Sequence, residues 1–155
     1  MAKWMINIDE LDELQYSIYS ENIETNIIVK GGQGSGANIL ALHRAKILAQ
    51  QDKSYALIVS TKLLHKFIED SFLLESDNVY YKHRWFGKNI SQPIDYLIIC
   101  EAEKFENSEI NDLIKLFNNS ISFYGNISLS IEKNIINEIN KIGGNLKTFK
   151  LERTY

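Results

Sequence analysis

The chain has 155 residues, is 45% hydrophobic and 24% charged, and sets 17 Lys+Arg against 20 Asp+Glu for a formal net charge of −3. That length is expected to form one domain with a core large enough to stand without disulfides, and the single Cys100 and three scattered histidines exclude a disulfide framework and a structural zinc site. An acid at Asp9 ahead of any apolar run argues against a signal peptide, and no stretch approaches the roughly 20 apolar residues of a membrane span, so a cytoplasmic domain is expected. Slight acidity excludes nucleic-acid binding by overall charge and leaves a local basic face open.

In chain order, Thr25–Lys30 reads as a strand, Ala37–Gln51 as a helix, Tyr55–Ser60 as a strand and Lys62–Phe72 as a helix. Tyr96–Cys100 is a third strand, Ser108–Asn118 a helix, Ile121–Tyr124 a strand, Ile131–Ile142 a helix and Thr148–Leu151 a last strand. The first three strands are continuous apolar runs, as in a sheet covered on both faces. The helical stretches carry apolar residues at spacings of three and four. Strand–helix alternation of this kind predicts an α/β fold, a parallel sheet of about five strands with helices on both faces. The lone Pro93 fits that class better than a turn-rich all-β domain, and the chain shows no internal repeat and no linker.

The most specific feature is Lys30-Gly31-Gly32-Gln33-Gly34-Ser35-Gly36-Ala37-Asn38, between the first strand and the first long helix. A phosphate-binding loop reads Gly-x-x-x-x-Gly-Lys-Ser/Thr in the same context. Gly31 and Gly36 hold its spacing, and glycines let backbone N–H groups turn inward while the helix adds its positive end. Ala37 stands where a lysine would reach the β- and γ-phosphates, and Asn38 where a hydroxyl would hold Mg²⁺. The plain alternative is a glycine-rich strand–helix turn without a ligand.

Gly31–Leu48, running on into Ala41-Leu42-His43-Arg44-Ala45, resembles the first motif of superfamily-one DNA helicases of the UvrD/Rep and HelD kind. The resemblance continues in order. Leu11–Gln15 matches the segment whose glutamine reads adenine, which makes Gln15 its counterpart. Val59–Leu64, with Thr61 and Lys62, is similar to the segment that contacts the single-stranded DNA backbone. Tyr81-Lys82-His83-Arg84-Trp85-Phe86 resembles the following Thr-Phe-His-Ser-Phe-type segment. Ile94–Glu103 corresponds to a strand ending in Asp-Glu-Ala-Gln, with Cys100 for the Mg²⁺-binding aspartate, Glu101 at the general-base position and Glu103 for the glutamine. Phe123–Ile131 resembles Gly-Asp-x-x-Gln-Ser-Ile, with Asn126 for the aspartate and Leu129 for the γ-phosphate-sensing glutamine. Leu151–Tyr155 resembles the Leu-x-x-Asn-Tyr-Arg-Ser segment that opens the second motor domain, and the chain stops one residue before its arginine.

The resemblance implies a RecA-like P-loop NTPase fold over residues 1–155, a first helicase motor domain without the second. It implies phosphate contacts from Gly31, Gly32, Gln33, Gly34, Ser35, Gly36, Ala37 and Asn38, adenine contact from Gln15, and Glu101 as a vestigial general base. ATP or phosphate is the ligand to expect, with weak Mg²⁺ coordination through Asn38 at most, since Cys100 is a poor ligand for a hard ion. Phosphoryl transfer depends on positioning and charge, so changes at three motifs weigh against hydrolysis.

Lys82-His83-Arg84-Trp85 joins cations to an aromatic, a mixture that suits single-stranded DNA, so His83, Arg84 and Trp85 join Thr61 and Lys62 as nucleic-acid candidates. The alternative is a solvated basic loop with Trp85 in the core. Arg44 is expected to pair with a surface acid and His43 to lie on a helix face, while Cys100 reads as a buried small hydrophobe. Two functions stay open: a non-catalytic helicase-like domain binding nucleic acid or a protein partner, and the first half of an ATP-dependent helicase. A nucleotide-binding module without turnover is the third.

Overall fold

Tyr55–Val59 (β2) is buried at every residue, which a strand achieves only in the interior of a sheet with both faces covered. In the computed structural model, which describes residues 11–32, 35–71, 78–88 and 92–151, β2 pairs with Val79–Tyr81 (β3) and Ile94–Ile99 (β4). Next to β4 comes Phe117–Gly125 (β5), then Asn26–Lys30 (β1), then Leu146–Lys150 (β6) at the far edge. Every pairing is parallel, in the order β3-β2-β4-β5-β1-β6.

Alternate residues of each strand feed two separate cores. On one face Ile27, Val29, Leu57, Val59 and Ile98 pack against Ile18 of Glu13–Tyr19 (α1), Leu40 and Leu48 of Ala37–Gln50 (α2), and Ile68 of Lys62–Ser71 (α3). On the other, Ile28, Ile58, Leu97, Ile99 and Phe123 meet Trp85 of Lys82–Gly87 (α4), Ile110 and Leu113 of Asn107–Ile114 (α5), and Ile135 and Ile139 of Leu129–Lys141 (α6). The α/β class with helices on both faces is as the apolar runs predict. No helix among the described residues is long and apolar enough to cross a membrane.

Among the described residues the sheet has six strands, one more than the apolar runs predict, because β3 is only three residues long and carries no run to detect. The predicted helix over Ser108–Asn118 ends at Ile114, and Phe117 and Asn118 already belong to β5. Asparagines hide that start. Asn118 donates to Asp95 Oδ1 at 3.1 Å and Asn119 to Tyr96 Oη at 3.1 Å, so a polar edge extends the strand. α1 has a sequence signal in its capping box, in which Gln15 N–H donates to Asp12 Oδ1 at 2.8 Å and Asp12 N–H to Gln15 Oε1 at 3.1 Å.

Arg44 does not meet a surface acid. It is buried, and its guanidinium donates to the carbonyls of Ile23 at 2.9 Å and Thr25 at 3.0 Å, holding the turn that enters β1. Charged donors to buried carbonyls are worth about 1.5–3 kcal/mol each, and their loss leaves the acceptors unpaired. Arg44→Ala is therefore expected to lower unfolding free energy by about 2–4 kcal/mol in urea melts, with Arg44→Lys recovering less than half because lysine lacks the planar fork.

Candidate nucleotide and nucleic-acid edge

In a parallel sheet the loops after the strands gather at one edge, where ligands of open α/β proteins bind. Here β5 lies between β1 and β4, so Gly125 and Asn126 stand between the glycine loop and Glu101. Gly31 N–H donates to the Gly125 carbonyl at 2.9 Å, which ties the start of the loop to β5. A Cβ on Gly31 would fall 2.2 Å from Ser35 Oγ, so this glycine is needed for a close approach inside the loop. Gly36, in the left-handed region at φ 89°, turns the chain into α2.

Gln15 meets the loop directly. It is buried, and Nε2 donates to the Ser35 carbonyl at 3.1 Å while Oε1 serves the capping box of α1, so the side chain fastens α1 to the loop. Ser35 Oγ is buried with no hydrogen-bond partner among the described residues. Gln33 and Gly34 lie outside the described residues, as do residues 1–10 and 152–155, which carry the remaining N-terminal and second-domain readings. Gly32 is exposed at the loop mouth. Ala37 is 4% exposed and supplies no charge. The lysine nearest to the loop in sequence, Lys30, is ion-paired to Glu132 of α6 at 2.8 Å.

After β4 the chain turns sharply at Glu101, which takes φ 54° and ψ 45°. Its carboxylate accepts from the Thr61 N–H at 3.2 Å, from Thr61 Oγ1 at 3.0 Å and from Ser60 Oγ at 3.3 Å. Its own N–H donates to Asn38 Oδ1 at 3.2 Å. The oxygen of Asn38 that would meet a metal and the carboxylate that would meet a water are both engaged with protein. Cys100 is fully buried; burial, then the charges of Glu101 and Glu103, push its thiol well above the ordinary range. A neutral thiol offers Mg²⁺ no hard oxygen. Glu103 accepts from Asn126 N–H at 3.1 Å, and Leu129, at the sensor position, is 61% exposed and apolar. This donor set does not fit Mg²⁺ and a poised water.

The nucleic-acid candidates divide. Thr61 is turned toward Glu101. Lys62 is exposed, with Nζ 5.8 Å from the Tyr81 ring centroid, and His83 meets the same ring edge-on at 5.2 Å. Arg84 is exposed on α4. Trp85 is 2% exposed and packs edge-on against Tyr80 at 4.8 Å, so its ring is a core element and not a stacking platform. The basic segment is a helix and not a loop, and its first lysine, Lys82, is held by Glu109 at 3.1 Å and the Lys104 carbonyl at 3.0 Å. The ring among the exposed cations is Tyr81. Its signal in the sequence is the Tyr80-Tyr81 pair on a strand, where alternation sends one ring to each face.

No protein-family model matches the chain, and no curated protein matches it. Among solved structures it is similar to the crystal structure of the Pyrococcus furiosus Hef helicase domain, with a TM-score of 0.62 and 16% identity over 90% of this chain and 38% of that one. It is also similar to the crystal structure of DnaI, with a TM-score of 0.53 and 12% identity over 99% of this chain and 92% of that one. The chain thus spans well under half the length of the Hef chain. At such identities the likeness is one of fold, and the fold is RecA-like, of the P-loop class.

The buried thiol makes stability depend on pH. In the unfolded chain Cys100 ionises near 9.0, whereas in the fold it stays neutral, so above that pH the unfolded state binds fewer protons and stability falls. Tyr124 and Tyr96, both raised from 10.0 chiefly by burial, act the same way at higher pH. Urea melts are expected to show a loss that begins near pH 9.0 at a slope of at most about 1.4 kcal/mol per pH unit. In Cys100→Ala the loss should begin about one pH unit later.

Proposed function

We propose that this chain is a helicase-like P-loop domain that binds single-stranded nucleic acid without turning over ATP on its own, of superfamily-one descent. The observation that supports it most is a juxtaposition along one sheet edge. Gly31 and Gly36 hold the described ends of the glycine loop while Ala37 is buried and uncharged, Lys62 and His83 are exposed beside Tyr81, and Arg84 is exposed on α4. Lys62 and Arg84 would neutralise phosphates, and Tyr81 with His83 would offer faces to bases. The order of the seven helicase-like segments supports the descent, and the exposed Leu129 at the start of α6 suits contact with a protein partner, a second motor domain included.

A second reading, a loop that holds phosphate or nucleotide without turnover, is favoured by Ser35 Oγ just before α2, which is buried with no hydrogen-bond partner among the described residues. It predicts a rise in melting temperature with ADP or inorganic phosphate that does not require Mg²⁺.

Labelled oligo-dT is expected to bind at low salt. Combining Lys62→Ala with Arg84→Ala should weaken binding about tenfold or more and reduce the salt slope by about 1.4, from about 0.7 per phosphate contact on a single strand. Phosphate release from ATP with Mg²⁺ should not exceed the protein-free blank. Turnover by this chain, or binding that ignores salt, would sink the proposal.

A further inference from the structure

Glu101 and Asp52 are the non-glycine residues with positive φ among the described residues, and Glu101 also has a side chain enclosed by partners. A non-glycine residue keeps the left-handed conformation only where its surroundings over-determine it. Three segments do so here. Asn38, in the first turn of α2, accepts from the Glu101 N–H; Ser60 and Thr61, between β2 and α3, donate to its carboxylate; Lys104 stands 3.5 Å from Oε2.

Thr61 passes the constraint on. Its Oγ1 donates to the carboxylate and also accepts from Leu64 N–H at 3.3 Å, at the start of α3. An ionised carboxylate can only accept, so the hydroxyl proton must point to Glu101 and an oxygen lone pair is left for Leu64. The first residue of α3 is Lys62, whose ammonium lies over Tyr81. We propose that Glu101 is a positioning residue of the nucleic-acid surface: its carboxylate sets the Thr61 hydroxyl, which caps α3 and places Lys62 beside Tyr81. This role rests on the nucleic-acid reading above and needs neither nucleotide nor metal.

Methionine at this position separates positioning from shape. It keeps the length of the side chain but offers the Thr61 N–H and hydroxyl no oxygen to accept their hydrogen bonds, whereas glutamine could turn its Oε1 to them and keep the contact. The test measures anisotropy of labelled oligo-dT in EDTA, without nucleotide, across a salt series, with melting temperature followed in parallel. Glu101→Met and Thr61→Val are each expected to weaken binding about fivefold and lower the salt slope by about 0.7, the same change as Lys62→Ala. Thr61→Ser should bind within about twofold of the parent chain, since it keeps the hydroxyl. Adding Lys62→Ala to Glu101→Met should cost nothing further, because the two act through one contact. A purely structural role would lower the melting temperature and leave the salt slope of the folded protein unchanged; that result overturns the inference. So does additivity with Lys62→Ala. If the parent chain itself shows no salt-sensitive binding, the nucleic-acid reading fails first, which the parent titration alone reveals. Thr61→Val tests the same link if Glu101→Met does not fold.

Discussion

The parallel insertion of β5 between β1 and β4 is the constraint on which the edge of the molecule depends. It places the end of β5 against both turns at once. Gly125 accepts from the Gly31 N–H on one side. On the other, a Cβ at Gly125 would meet Glu103 Oε1 at 2.2 Å and the Ala102 backbone nitrogen at 3.0 Å, and its φ of 143° already favours glycine. The glycine loop and the Glu101 turn are therefore fixed relative to each other through a residue with no side chain.

Given that frame, side-chain chemistry decides what the edge can do. At the described ends of the glycine loop and at the Glu101 turn, several polar side chains are engaged within the protein. Gln15 holds the Ser35 carbonyl, Asn38 holds the Glu101 N–H, and Thr61 holds the Glu101 carboxylate. Buried polar groups need partners, and in the absence of ligand-directed charge the protein supplies them itself. The result is a braced edge, with Lys62 and His83 exposed beside Tyr81 of β3.

Much of the fold was legible because burial on both faces writes itself as unbroken apolar runs. β1, β2 and the centre of β4 fall where those runs stand, and α2 follows the glycine loop. Elements at the margins were less legible. β3 is too short to have a pattern, and the first residues of β5 are asparagines serving Asp95, Glu24 and Tyr96. At the candidate site, the loop was visible through spacing, and Glu101 through the resemblance of Ile94–Glu103 to a strand ending in Asp-Glu-Ala-Gln. The burial of Trp85 was left open, because a tryptophan among cations reads equally as a platform or a core residue. Arg44 was misread for a related reason: a cation on a helix says nothing about carbonyls that arrive from another turn.

The sequence by itself determined the alternation of strands and helices, the glycine spacing and the absence of a lysine at Ala37, because these are local properties of residue type and order. Only the tertiary structure decided which polar groups partner which. Gln15 with Ser35, Glu101 with Thr61 and Lys62 with Tyr81 are separated by 19 residues or more along the chain, and in each case the pairing follows from strand order, not from spacing. Hydrogen bonds act over about 3 Å, so their partners exist only once the sheet has brought distant turns to one edge.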